Sequence, residues 1–239
     1  MARRFIIKEK IEVGQEFEIV GEEAKHIMVL RHNVGEKILV NDKICRIKAI
    51  TKQSIVCAAI EQSKEEGVPC IKITLFQALL KADKMEFVIQ KSVEVGATEI
   101  VPFVSRNVVV KLDDKDKIKK VERWNKISTE ASKQCGRSDI VNVSKIHSFN
   151  EMKERLREFD KVIIAYEKET NNLKEFIRSN LDVKNVAIIV GAEGGFEQDE
   201  VKEVLENENS VSVSLGKRIL RAETASLNLL SILMYEFDM

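Results

Sequence analysis

The sequence predicts an α/β fold in two parts: a small barrel of short strands, then a mostly parallel sheet covered by helices. Three observations carry this expectation. Short strand-like runs fill residues 4–60, a charged stretch ending in Gly67, Val68 and Pro69 closes them, and strands alternate with helices from Ile71 onward. Closely spaced short strands suit a barrel, whereas strand–helix alternation suits parallel strands joined by crossovers.

In the first part, residues 4–8 and 16–20 read as strands. Residues 22–30 switch to helical spacing, with Ala24, Ile27 and Met28 on one side. Asn33-Val34-Gly35-Glu36 is a turn. Residues 37–40 and 44–50 flank Asn41-Asp42-Lys43 as a hairpin, and residues 54–60 form another strand. Residues 62–69 are polar, end in Gly and Pro, and read as the linker, so the parts are expected at 1–68 and 70–239.

In the second part, residues 71–76, 99–104, 161–165, 186–190 and 211–214 are the expected strands. Residues 84–95 form a helix whose apolar face is Met85, Val88, Ile89 and Val93. Further helices are expected at 115–134, 197–205 and 222–237. Leu227, Leu230, Ile232 and Leu233 in the last helix are assigned chiefly to the core. In such sheets ligands bind beyond the carboxyl ends of the strands.

Composition narrows the function. The chain has 239 residues, 44% hydrophobic and 33% charged, with two prolines, which is the make-up of a well-packed protein. Its 39 basic and 39 acidic residues cancel, which counts against a uniformly basic nucleic-acid binder but does not exclude a local basic patch. Cys45, Cys57, Cys70 and Cys135 form no CxxC pair, and only three histidines are present, so free thiols are expected and no metal site. No secretory leader or membrane span is legible, and a cytoplasmic location is the expectation.

Two segments carry chemistry. The first is GAEGGF at 191–196, where an apolar strand runs into a loop with three glycines ahead of a helix. Glycines let the backbone approach a ligand closely. The loop is neither GxGxxG nor a P-loop, and Glu193 within it would repel a phosphate while suiting a cationic ligand. A plain tight turn is the competing explanation. The second is LGKRILRAETA at 215–225, joining the last strand to the last helix. Gly216 permits a sharp turn, and Ile219 and Leu220 offer apolar walls to a flat ring. Arg221 stands just before a helix N-terminus, where a cation opposes the helix dipole, a placement that suggests function. An ion pair with Glu223 or Glu193 is the alternative.

Together these segments closely resemble the signature of the bacterial 16S ribosomal RNA uridine-N3 methyltransferases, a branch of the SPOUT superfamily. The resemblance extends over nearly the whole chain: residues 78–86 and 90–96, Arg123-Trp124, residues 130–137, Arg3-Arg4-Phe5 and residues 26–31. Three positions depart from it: Ala192 and the Val141-Asn142 region, where the family usually has Pro, and Ala82, where it usually has Gly.

The resemblance implies a SPOUT-type catalytic domain with a trefoil knot from about residue 186 to 239, preceded by a PUA-like RNA-binding β-barrel. It implies S-adenosyl-L-methionine as cofactor, held by Tyr166, Glu167, Val190, Gly191, Glu193, Gly194, Leu215, Gly216, Ile219 and Leu220. The reaction implied is methylation of N3 of a specific uridine in 16S ribosomal RNA within the small subunit, by a homodimer. Loss of the N3 proton spreads negative charge onto O2 and O4, so a nearby cation would stabilise it. Arg221 is the first candidate for that role and Arg137 the second. Glu94, Glu130 and Glu223 are possible bases, with bulk water as an alternative. Arg3, Arg4, Arg31 and Lys81 are the candidate RNA contacts. The competing functions are another SPOUT reaction (ribose 2′-O or transfer-RNA base methylation), a non-catalytic ribosome-assembly factor, and a nucleotide-binding enzyme.

Overall fold

A computed structural model describes residues 4–63, 67–180 and 182–238. The chain divides into two compact units. One holds the described residues up to Val68 together with Ser132–Asp139. The other holds Pro69–Ala131 and the described residues from Ile140 on. Of the linker expected at 62–69, residues 64–66 lie outside the described residues, and Gln62 belongs to a strand.

The first unit is a five-stranded sheet with a helix. Its strands are β1 (Arg4–Phe5), β2 (Glu16–Val20), β3 (Lys37–Val40), β4 (Lys43–Ile50) and β5 (Ser54–Gln62), in the order β1-β3-β4-β5-β2. β1 pairs parallel with β3 and the other pairings are antiparallel. The 4–8 strand is shorter than expected because Asn41 intervenes: its side chain accepts the Ile7 N–H, and its amide donates to the Glu9 carbonyl. Alternation sets the core: Cys45 and Ile47 on β4 and Ile55, Cys57 and Ala59 on β5 are buried beneath α1 (Gly21–Val29), whose Ala24 and Ile27 join them.

The second unit is built on a sheet in which every pairing is parallel. Its strands are β6 (Lys72–Ala78), β7 (Glu99–Val104), β8 (Asn142–Val143), β9 (His147–Ser148), β10 (Lys161–Ala165), β11 (Asn185–Val190) and β12 (Ser210–Val213). The order is β12-β10-β11-β6-β7-β8, and β9 also pairs with β7. The central strands are apolar because helices cover both faces, and β11 buries Val186, Ala187, Ile188, Ile189 and Val190 in one run.

The covering helices are α2 (Lys84–Val95), α3 (Asp114–Cys135), α4 (Phe149–Arg155), α5 (Leu173–Arg178), α6 (Gln198–Leu205) and α7 (Ala222–Asp238). The expected apolar face of α2 is buried. That helix ends at Gly96, whose φ of 123° favours glycine and which lies against the Met234 side chain of α7. On α7, Leu230 and Leu233 are buried, and Leu227 and Ile232 are half-buried. α4, α5, β8 and β9 were not expected from the sequence. They run two to seven residues, too short for an apolar period to declare itself. No described helix is long and apolar enough to cross a membrane.

Candidate active site

Strands β10, β11 and β12 end side by side, and the loops leaving them enclose a cavity of about 520 Å³. Its wall is built from Tyr166 and Glu167 after β10, the 191–196 loop after β11, and residues 214–221 between β12 and α7. All ten residues expected to hold the cofactor line it, and so does Arg221. Sequentially remote loops meet here because parallel strands deliver their carboxyl ends to one edge of the sheet.

The glycine loop is fixed by close backbone packing. A Cβ on Gly191 would stand 3.2 Å from Gly195 and Phe196, and one on Gly194 would stand 2.9 Å from the Asn107 side chain. Asn107 donates to the Gly194 carbonyl (3.1 Å) and to the Glu197 carboxylate (3.0 Å). Buried Glu200 accepts the Arg106 and Glu197 N–H groups, so the loop after β7 and the start of α6 share one carboxylate. From below, buried Gln77 at the end of β6 donates to the Gly191 carbonyl (3.2 Å) and accepts the Ser226 hydroxyl of α7. Gln77 therefore ties the glycine loop and α7 to the sheet.

The second loop is more open. Gly216 has φ 111°, Ile219 is 86% exposed, and Leu220 is half-buried. Arg221, Lys217 and Arg218 are exposed cavity residues. The carboxylates suggested as ion-pair partners of Arg221 face Lys84 instead, Glu193 at 3.3 Å and Glu223 at 3.7 Å. Burial works against ionisation of Glu193, but its own backbone N–H, the Lys81 N–H and Lys84 outweigh it and hold its pKa below the usual carboxylate value.

The remaining candidates disperse. Arg137 belongs to the first unit, is 3% exposed, and forks onto Asp139 through Nε (2.9 Å) and Nη2 (2.8 Å); it does not line the cavity. A bidentate pair of this kind fixes the guanidinium in place. Arg4 is also buried, and donates to the Arg137 carbonyl, so it offers no exposed surface for RNA. Arg3 lies outside the described residues. Arg31 and Lys81 are exposed. Of the suggested bases, Glu94 is paired with Lys91 at 2.8 Å, Glu130 is exposed on α3, and Glu223 faces Lys84 near the cavity.

Sequence reasoning missed Lys84, Gln77 and Ser214. Lys84 carried one usable signal: like Arg221 just ahead of α7, it is a cation at a helix N-terminus, set against the dipole.

The cavity has the size of a pocket for a ligand of nucleoside dimensions. Leu215, Ile219, Leu220 and Val190 supply apolar surface for a flat ring, and Glu167 and Glu193 supply negative charge for a cationic group. A parallel α/β sheet with such a cavity at its carboxyl edge suits a nucleotide-like ligand, and residues 66–234 match the family model described as an RNA methyltransferase domain. The chain is 37% identical to the ribosomal RNA small subunit methyltransferase E of Bacillus subtilis, over all of this chain and 98% of that one. It is 34% identical to the enzyme of that name from Mesomycoplasma hyopneumoniae, over 95% of this chain and 97% of that one. The crystal structure of the Neisseria gonorrhoeae protein of that name, bound to S-adenosylmethionine, superposes with a TM-score of 0.88 at 27% identity, covering 99% of this chain and 98% of that one. The chain belongs to the ribosomal RNA small subunit methyltransferase E family.

Proposed function

We propose that this protein methylates N3 of a specific uridine in 16S ribosomal RNA, using S-adenosyl-L-methionine bound in the cavity beyond β10, β11 and β12. The observation that carries this reading is the convergence of both signature loops, with Tyr166 and Glu167, on one cavity. Its apolar surface and carboxylates suit an adenosine carrying a cationic sulfonium. In this reading the 215–220 loop and Val190 hold the adenine, and Gly191, Glu193, Gly194, Tyr166 and Glu167 face the rest of the cofactor. The cofactor supplies an electrophilic methyl group when bound.

The protein's own work is then placement and electrostatics. The glycine loop, braced by Gln77 and Asn107, fixes the cavity wall before any ligand arrives. Arg221 faces the negative charge that develops on the uracil carbonyl oxygens as N3 gives its proton to solvent. The target uridine must be unpaired, because N3 is occupied in a base pair. Arg31 and Lys81 contact RNA. In the same reading the first unit is a PUA-like barrel ending near residue 68, the chain from about residue 186 forms a trefoil knot, and a homodimer acts in the cytoplasm on the small ribosomal subunit.

Calorimetric titration with S-adenosylhomocysteine, with ATP as control, tests the cavity assignment: one selective site per chain is expected, and preference for ATP overturns it. Mass spectrometry of nucleosides from treated small subunits tests the target. The expected product is 3-methyluridine, and a ribose-methylated nucleoside would replace this reading with 2′-O transfer.

A further inference from the structure

Lys84 lies at the cavity wall, outside the two loops that carry the signature. It opens α2, and its ammonium lies 3.3 Å from Glu193 Oε1 and 3.7 Å from Glu223 Oε2. Glu193 belongs to the glycine loop after β11, and Glu223 to the first turn of α7, just after the second cavity loop. The Lys84 side chain is 34% exposed, and the residue lines the cavity. Glu193 Oε1 also accepts the Lys81 N–H at 3.3 Å, which fastens the loop after β6 to the glycine loop.

Both ion pairs are long for charge-assisted hydrogen bonds, which close to about 2.7–2.9 Å. An ammonium has three donors, and two loose carboxylate contacts leave it able to turn toward a third acceptor. Glu223 Oε2 is buried and accepts no hydrogen bond among the described residues. A buried carboxylate oxygen without a donor is costly, and the Lys84 ammonium is the cation beside it. The other charged residues at the wall are Glu167, Lys217, Arg218 and Arg221, and Glu86, on Lys84's own helix, is taken by Arg123. Lys217, Arg218 and Arg221 are exposed, whereas Lys84 is the half-buried cation held between two carboxylates.

We infer that Lys84 is a catalytic residue for the nucleobase: its ammonium, steadied by Glu193 and Glu223, donates to a uracil carbonyl oxygen and stabilises the anion formed when N3 loses its proton. This rests on the uridine-N3 reading above. In the balanced step, uridine N3 releases its proton to solvent and its electron pair forms the bond to the methyl carbon. The electron pair of the broken carbon–sulfur bond stays on sulfur, and Lys84 keeps all three of its protons. Glu193 and Glu223 act as positioning residues through Lys84.

The test uses the full chain with K84Q and K84R. Each is measured for S-adenosylhomocysteine affinity by calorimetry, for kcat and KM on small ribosomal subunits, and for the pH dependence of kcat. K84Q should lower kcat about 100-fold, leave S-adenosylhomocysteine affinity within about threefold, and move the rising limb of the pH profile upward by about one unit, because the uracil anion has lost a cation. K84R should recover kcat to within about tenfold and return the limb to its original position, because it keeps the charge. An unmoved limb in K84Q, or a parallel fall of kcat and S-adenosylhomocysteine affinity in both variants, overturns the catalytic role and leaves Lys84 as a wall-building residue. The nucleoside made by the unsubstituted protein separates the two readings. If it is 3-methyluridine, a negative result concerns Lys84 alone; any other nucleoside overturns both.

Discussion

Arg221 stands exposed at the cavity and close to α7, where the helix dipole does nothing to favour a cation. Replacing it with alanine should lower turnover about 100-fold while S-adenosylhomocysteine affinity stays within about threefold, because charge stabilisation acts in the transition state and not on the bound cofactor. Steady-state kinetics beside calorimetry separates these effects. Ala82 is a second informative residue. Its φ is 48°, left-handed backbone that costs a side-chain-bearing residue about 1–2 kcal/mol, which accounts for the glycine usual in the family at this position. Ala82→Gly should raise the unfolding free energy by about 1 kcal/mol in urea titrations. Much of the cavity was legible at this scale. Gly191, Gly194, Gly216, Ile219 and Leu220 announce themselves by composition within a short window. Lys84 and Gln77 do not, since their meaning depends on β6 lying beside β11. The burial of Arg4 and Arg137 was not legible, because charge does not reveal it; both are under 5% exposed.

Among the elements, the long strands and helices were readable from period and end signals, and the short ones were not. α4 makes the point. It has seven residues and no clear apolar stripe, yet it is held by a capping box in which Ser148 accepts the Glu151 N–H (3.2 Å) and Glu151 accepts the Ser148 N–H (2.7 Å). Ser148→Ala should cost about 1 kcal/mol. The box is also acid-sensitive. Lys145 and the Ser148 backbone and hydroxyl lower the Glu151 pKa to about 2 from 4.5. A carboxylate depressed in the folded state contributes stability that is complete above its unfolded value and is lost as pH falls through the folded one. Glu151→Gln should therefore lower stability most at neutral pH, where the contribution is complete, flatten the acid dependence between pH 4.5 and 2, and approach the unsubstituted protein at the acid end. Thermal melts across that range check it.

For the whole molecule, the expectation of free thiols acquires a spatial pattern. Cys45 and Cys57 are buried in the first unit, where desolvation pushes their thiols up to about 11 and about 12. Cys70 is exposed and Cys135 is partly so. Alkylation of the native protein at neutral pH should modify Cys70 fastest, Cys135 next, and Cys45 and Cys57 only after denaturation, and peptide mass mapping distinguishes them. Early labelling of Cys45 or Cys57 would mean that the first unit opens more readily than its packing implies. The two-part organisation was visible as a change of pattern near Pro69, but the grouping of Ser132–Asp139 with the first unit was not. Nothing local in the charged sequence of α3 marks where its company changes.

The strand order carries a consequence for biosynthesis. β6 emerges early, but its neighbour β11 is separated from it by roughly a hundred residues, and such distant pairings close slowly. Apart from Lys84, Ala165, Tyr166 and Glu167, the wall of the cavity comes from residue 190 onward, including the start of α7. A nascent chain thus carries the candidate RNA-contacting residues Arg31 and Lys81 long before it has anywhere to hold a methyl donor. Premature termination anywhere ahead of α7 would release a polypeptide without Leu229, Leu230 and Leu233, and so without part of its hydrophobic core. Catalytic competence therefore waits on the synthesis of α7.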